Sequence, residues 1–136
     1  MIAAISIGSP LKGDDNIGNI VLEKLDIDAL KLMGGMSPES VIGKAVDCER
    51  VYFIDAVDFG GASGSVHVFS PDELEGTRMS THGFSIKQLA ELLPKSKVFV
   101  IGIQPKNIDF KPRLSNELEF RLDRIVDDVK KAIQGQ

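Results

Sequence analysis

Two adjacent acids, Asp14 and Asp15, stand in the stretch "GSPLKGDDNIG" (residues 8–18). Gly8 and Gly13 have the spacing of a phosphate-binding loop, which would continue with a lysine and a hydroxyl residue to meet phosphate and magnesium. Acids in those places suit a loop that faces a cation. Two more acids follow the next apolar run: Asp55 comes directly after Val51–Ile54, and Asp58 lies just beyond it. A carboxylate at the end of a buried strand loses solvation and needs a donor, a cation or a metal. His82 stands in "STHG", ahead of a helical pattern. Two carboxylates and one imidazole form an oxygen–oxygen–nitrogen set. Such a set suits a borderline divalent ion such as nickel or zinc, with positions left open for water or substrate.

Plainer roles compete for each residue. Asp14 and Asp15 can cap the following helix. Asp55 can accept backbone N–H groups at a strand end, and His82 can be an ordinary loop histidine. His67 reads as exposed on an edge strand. Cys48, the only cysteine, reads as a small buried hydrophobe.

The elements that must position these residues follow from periodicity. "IAAISI" (2–7), "RVYFIDAVD" (50–58) and "KVFVIGIQP" (97–105) are near-continuous apolar runs of buried parallel strands. "DALKLM" (28–33) is a weaker strand, ended by Gly34 and Gly35. "SVHVFS" (65–70) alternates like an edge strand, with Val66 and Val68 inward and His67 and Phe69 on the other face. Helices are expected from Asp15 through Leu25, over 37–46 behind Ser37 and Pro38, over 84–93 until Pro94, and over 116–133. Phe84, Leu89, Leu92 and Leu93 are offered to the core by the third. The last carries Leu118, Leu122, Ile125, Val129 and Ile133 on one stripe. Alternating strands and helices predict a three-layer α/β/α sandwich, its central sheet mostly parallel with an antiparallel edge strand. In such sheets sites lie beyond the carboxyl ends of the strands, where Asp14, Asp15, Asp55, Asp58, His82 and Gln104 fall.

Composition bounds the function. The 136 residues make one ordinary domain, 1–136, with 43% apolar and 26% charged residues. No apolar run is long enough to span a bilayer, so no membrane role is expected. The start of the chain has no basic segment ahead of its apolar run, which predicts a cytoplasmic protein. A net charge of −4, one tyrosine and no tryptophan argue against nucleic acid as a partner.

Four stretches in order, "IGSPLKGDDNIG", "IDAVDFGGASGSV", "STHGFSIKQLAEL" and "VFVIGIQP", resemble the hydrogenase maturation endopeptidases. These clip a C-terminal extension from the large-subunit precursor of nickel–iron hydrogenases. The resemblance implies that Asp15, Asp55 and His82 contact a metal and carry catalysis. Gly34, Gly35 and Asp58 are the implied substrate-binding positions. The metal is implied to be nickel carried by the precursor, with no stoichiometric resting cofactor in the protease. Some positions depart from the family pattern. Ser6 and Ser9 replace the usual first glycine and asparagine, Asn16 a usual glycine, and Met33 the usual aspartate before the double glycine. The segment at 26–33 is short for the family. Three functions remain open: a processing endopeptidase, a non-catalytic relative that keeps the metal-facing site, and an unrelated α/β small-molecule binder.

Overall fold

The computed structural model describes residues 1–76 and 83–136. Five strands form one sheet in the order β2-β1-β3-β5-β4. They are β1 (Ile2–Ser6), β2 (Leu30–Met33), β3 (Arg50–Ala56), β4 (Val66–Phe69) and β5 (Lys97–Ile103). β1, β2, β3 and β5 run parallel, and β4 pairs antiparallel with β5 at one edge. Four α-helices, α1 (Ile17–Lys24), α2 (Gly83–Glu91), α3 (Asn116–Phe120) and α4 (Leu122–Gln134), complete the described regular structure with short 3₁₀ turns. This is the mostly parallel sandwich, with an antiparallel edge, that the patterning predicts.

The three central strands are buried on both faces, which is why their sequences do not alternate. Val51, Tyr52, Phe53 and Ile54 are all fully buried. One face packs Ala3, Ile5, Val51, Phe53 and Val100 against Ile86, Leu89 and Leu93 from α2 and the turn after it. The other packs Ala4, Tyr52, Ile54 and Ile101 against α1, α3 and α4 through Ile17, Val21, Leu118, Ile125 and Val129. Each such aliphatic side chain contributes about 1.5–3 kcal/mol by leaving water. Among the described residues no helix is long and apolar enough to cross a membrane.

Several expectations are corrected. Residues 37–46 do not form an α-helix but two 3₁₀ turns, Pro38–Ser40 and Ile42–Ala45. Ser37 makes no side-chain cap there, and Gly43 with the β-branched pair Val41 and Ile42 disfavours continuous helix. The stripe at 116–133 is divided at Arg121 (φ −98°, ψ 6°) into α3 and α4. Leu92 is 56% exposed, because α2 ends before it; Phe84 lies outside the described side chains. Phe69 is buried, so both faces of β4 are partly covered, while His67 is exposed as expected. Cys48 is buried in the α2-side core.

The start of α1 lies hard against the sheet. A Cβ on Gly18 would stand 2.3 Å from the Ile54 carbonyl oxygen and 2.9 Å from that of Ile7. Gly to Ala inside a helix ordinarily stabilises by about 1 kcal/mol. At Gly18 the sign should invert: Gly18→Ala is expected to destabilise by about 1–3 kcal/mol through overpacking. A denaturant midpoint that rises in the variant would contradict this packing.

Candidate functional site

β1 is followed in sequence by β2 on one side of it, and β3 lies on the other. The strand order therefore reverses at the boundary between β1 and β3, where open α/β sheets form their crevice. The segments leaving β1, β2, β3 and β5 all emerge at this carboxyl edge, since these four strands are parallel.

The first of these segments carries the acid pair on a 3₁₀ turn, Gly13–Asn16. Neither acid caps α1, whose N-cap is Asn16. Asp14 is fully buried and turns to the segment after β5 instead. Its Oδ2 accepts from the N–H groups of Lys106 (2.8 Å) and Asn107 (2.9 Å) and from Ser115 Oγ (2.8 Å). Its Oδ1 accepts from the Ser115 N–H (2.7 Å). Backbone bonds from Gly13 N–H to Lys111 O (2.9 Å) and Asp14 N–H to Asn107 O (2.8 Å) complete the junction. Ser115 Oγ also accepts from the Leu118 N–H and so caps α3.

Asp15 points to a different place. Its Oδ2 accepts from the Ser9 N–H (2.8 Å), and the residue lines a cavity of about 140 Å³ with Ala56, Asp58, Pro105, Lys106, Asn107 and Ile108. That is close to the ~150 Å³ that holds one benzene-sized group. Asp58 reaches this cavity from the segment after β3, where its Oδ1 accepts from the Gly60 N–H (3.2 Å) and from the Gln104 carboxamide. Gln104 Nε2 donates to Asp58 Oδ1 (3.0 Å) and to Pro105 O (3.3 Å). Gln104 Oε1 accepts from the N–H groups of Phe59 (2.9 Å) and Gly61 (3.1 Å). Gln104 is buried, and all four of its polar valences are used.

Asp55 is fully buried beside Ala56, which lines the cavity. By strand alternation it shares a face with Phe53 and Val57, the face covered by α2. Gly34 and Gly35 belong to the same edge. A Cβ on Gly34 would lie 2.3 Å from Ser6 O, and the Gly35 carbonyl accepts from the Gly8 N–H at 2.9 Å. Gly34 thus packs hard against the end of β1, while Gly35 takes a left-handed turn conformation (φ +55°) beside it. Met33 Sδ, at the position where the resemblance implies an aspartate, receives a hydrogen bond from Ser6 Oγ at 3.1 Å. His82 lies outside the described residues. Among the described residues, no group of three or more His, Cys, Asp or Glu side chains is placed to hold a metal ion.

Sequence reasoning placed Asp15, Asp55 and Asp58 at this edge but missed the roles of Asp14, Ser115 and Gln104. Ser115 was discoverable: a serine ahead of "NELEF", with Glu117 in the first turn, is a helix-start pattern. Nothing local marks Asp14 apart from Asp15, because its donors lie far along the chain.

The two acids should therefore separate by substitution. Asp14→Ala leaves several buried donors unmatched and is expected to cost at least about 3 kcal/mol. Asp15→Asn keeps an acceptor for Ser9 and should cost less than Asp14→Ala. Urea unfolding of the two variants checks this, and equal losses would remove the distinction.

A family model described as hydrogenase maturation protease matches residues 24–132. A Methanocaldococcus jannaschii protein, provisionally named a hydrogenase maturation protease, is 29% identical over 150 residues, covering 98% of this chain and 88% of its own. Among solved structures, the [NiFe] hydrogenase maturation protease HycI from Thermococcus kodakarensis is 26% identical with a TM-score of 0.75. That match covers 98% of this chain and 92% of its own. The HybD maturation protease of the same organism is also 26% identical, with a TM-score of 0.76 and coverage of 96% and 97%. Hydrogenase maturating endopeptidase HybD from E. coli, at 19% identity, shares the fold with a TM-score of 0.81 over 98% of this chain and 92% of its own. The chain belongs to the hydrogenase maturation protease family.

Proposed function

We propose that this chain is an endopeptidase that removes a C-terminal extension from a nickel–iron hydrogenase large-subunit precursor and recognises nickel already held by that precursor. The observation that carries the reading is the meeting of Asp15 and Asp58 around one cavity at the carboxyl edge of the sheet, with Asp55 buried one residue before Ala56 of its lining. Acids brought to a strand-end crevice favour a cation-bearing substrate over an anionic one. Family membership supplies the reaction class.

The reaction is hydrolysis. Water adds to the scissile carbonyl carbon, the carbon–nitrogen bond breaks, and the leaving amine takes a proton. Asp15 or Asp55 serves as general base for the attacking water. Substrate-borne nickel would position the chain for this step; in the alternative route it would itself polarise the carbonyl or lower the pKa of the water. His82 is the proposed imidazole contact to that nickel. Gly34 and Gly35 are proposed to pass substrate backbone close to the end of β1. The proposed setting is the cytoplasm.

A second reading, a relative that binds metal-loaded precursor without cutting it, is favoured by one observation. Met33 presents a thioether, already engaged by Ser6, where the resemblance implies an acid. Incubation with nickel-loaded precursor separates the two: a mass loss at the precursor's C-terminus supports the peptidase, and tight binding without mass loss supports the relative. The unrelated small-molecule binder falls with the family assignment.

Two further outcomes are expected. Asp55→Asn keeps shape and removes charge, so it should abolish processing while the protein still unfolds in one cooperative thermal transition. Normal cleavage by this variant would remove Asp55 from the mechanism. A site that meets a metal held elsewhere must not strip it. Protein purified without chelator is therefore expected to contain no stoichiometric metal, and added nickel to bind with Kd above about 1 μM. A full equivalent of tightly held nickel or zinc on elemental analysis would replace the substrate-borne model with an ordinary metalloenzyme.

A further inference from the structure

The segment after β5 carries exposed residues that neither the core nor the acid site explains. Phe110 is 79% exposed and Ile108 46%, with Leu11 (52%) on the facing segment. This loop is held in place: the Asp14 carboxylate grips it at Lys106, Asn107 and Ser115, and its backbone bonds to Gly13 and Asp14. A parallel bridge joins Lys12 to Lys111. The apolar side chains are thus presented on a fixed frame.

The same frame is basic, in a protein of net charge −4. Lys12, Lys106, Lys111 and Arg113 outnumber the surface acids Asp109 and Glu117. Lys106 is within 3.9 Å of Glu117. Lys12, Lys111 and Arg113 have no carboxylate within 4.0 Å among the described residues. Lys106, Lys111 and Arg113 line a groove of about 530 Å³ with Pro112, Leu114 and Glu117. That groove shares Lys106 and Asn107 with the cavity of Asp15 and Asp58. A chain leaving the cavity on this side runs directly into it.

We propose that this groove docks the stretch of precursor polypeptide continuous with the processed bond, and that it selects a stretch carrying acidic side chains with an apolar residue against Ile108 and Phe110. The proposal rests on the peptidase reading for the identity of the chain, but its recognition chemistry is separately measurable. The acid-lined cavity and the basic groove form adjacent patches of opposite sign. A substrate with a cation at the cut and acids beyond it is matched to both, which sets register as well as affinity.

The test uses the intact protein and two short fluorescein-labelled peptides. Both have the same Leu and Phe positions; one carries glutamates and the other lysines elsewhere. Fluorescence anisotropy should show the acidic peptide binding at least about tenfold more tightly, with the preference fading at high salt. The double substitution Lys111→Glu with Arg113→Glu should remove it. Lys24→Glu with Lys95→Glu, equal in charge change but at the opposite edge of the sheet, should not. With precursor, the groove variant should raise KM and leave kcat unchanged. Equal binding of the two peptides overturns the proposal. So does a groove variant indistinguishable from wild type, or self-association of the protein that the groove variant abolishes. If no precursor is cut yet the charge-dependent binding is present, the peptidase reading fails and the groove stands.

Discussion

A fully buried carboxylate ties the first loop of this fold to the last. Asp14 loses its water when the chain folds, at a cost of several kcal/mol. The two N–H groups and the N–H and hydroxyl of Ser115 that surround it offset that cost. The exchange is mutual, because residues 105–115 have no helix or strand to satisfy their own backbone. Without Asp14 those donors would face a buried, unmatched environment. Lys106, Asn107 and Ile108 form one wall of the cavity, so the cavity's shape depends on this tie.

The acids at the crevice divide between support and presentation. Asp14 is consumed by the protein, while Asp15 and Asp58 line the cavity. The residue that aims Asp58 is an amide. A lysine or arginine in place of Gln104 could also hold that loop, but it would cancel the charge it positions. Gln104 orders Asp58, Phe59 and Gly61 at once and leaves the local charge unaltered. For a site proposed to meet a positive centre, neutral scaffolding around negative groups is the arrangement that preserves the field.

The central sheet was legible because burial on both faces writes itself into sequence as continuous apolar runs, as in Val51–Ile54. The strand-end acids were legible because a carboxylate next to such a run has few inexpensive places to go. Residues 37–46 misled because Ser37, Pro38 and Glu39 start a helix well, whereas Gly43 and the β-branched pair decide how it continues. The two roles of the acid pair were illegible for a different reason. Asp14 meets its donors 92 to 101 positions away, and no local pattern carries that information. Gln104 was visible as a polar residue past a strand, but its service to the β3 loop depends on tertiary proximity. His82 lies outside the described residues, and its part rests on the family resemblance.

The span of the Asp14 tie also bears on how the molecule is made. A ribosome releases Asp14 ahead of its partners at Lys106, Asn107 and Ser115, which follow only after β5 has emerged. Until then a nascent chain can pair β1 with β3, but it cannot bury the Asp14 carboxylate at low cost. Burial of the Asp14 carboxylate therefore waits for the segment after β5. A long-range contact of this kind slows folding, since the chain must be ordered over that length before the bonds form. It also delays assembly of the acid-lined cavity until the segment after β5 has been synthesised.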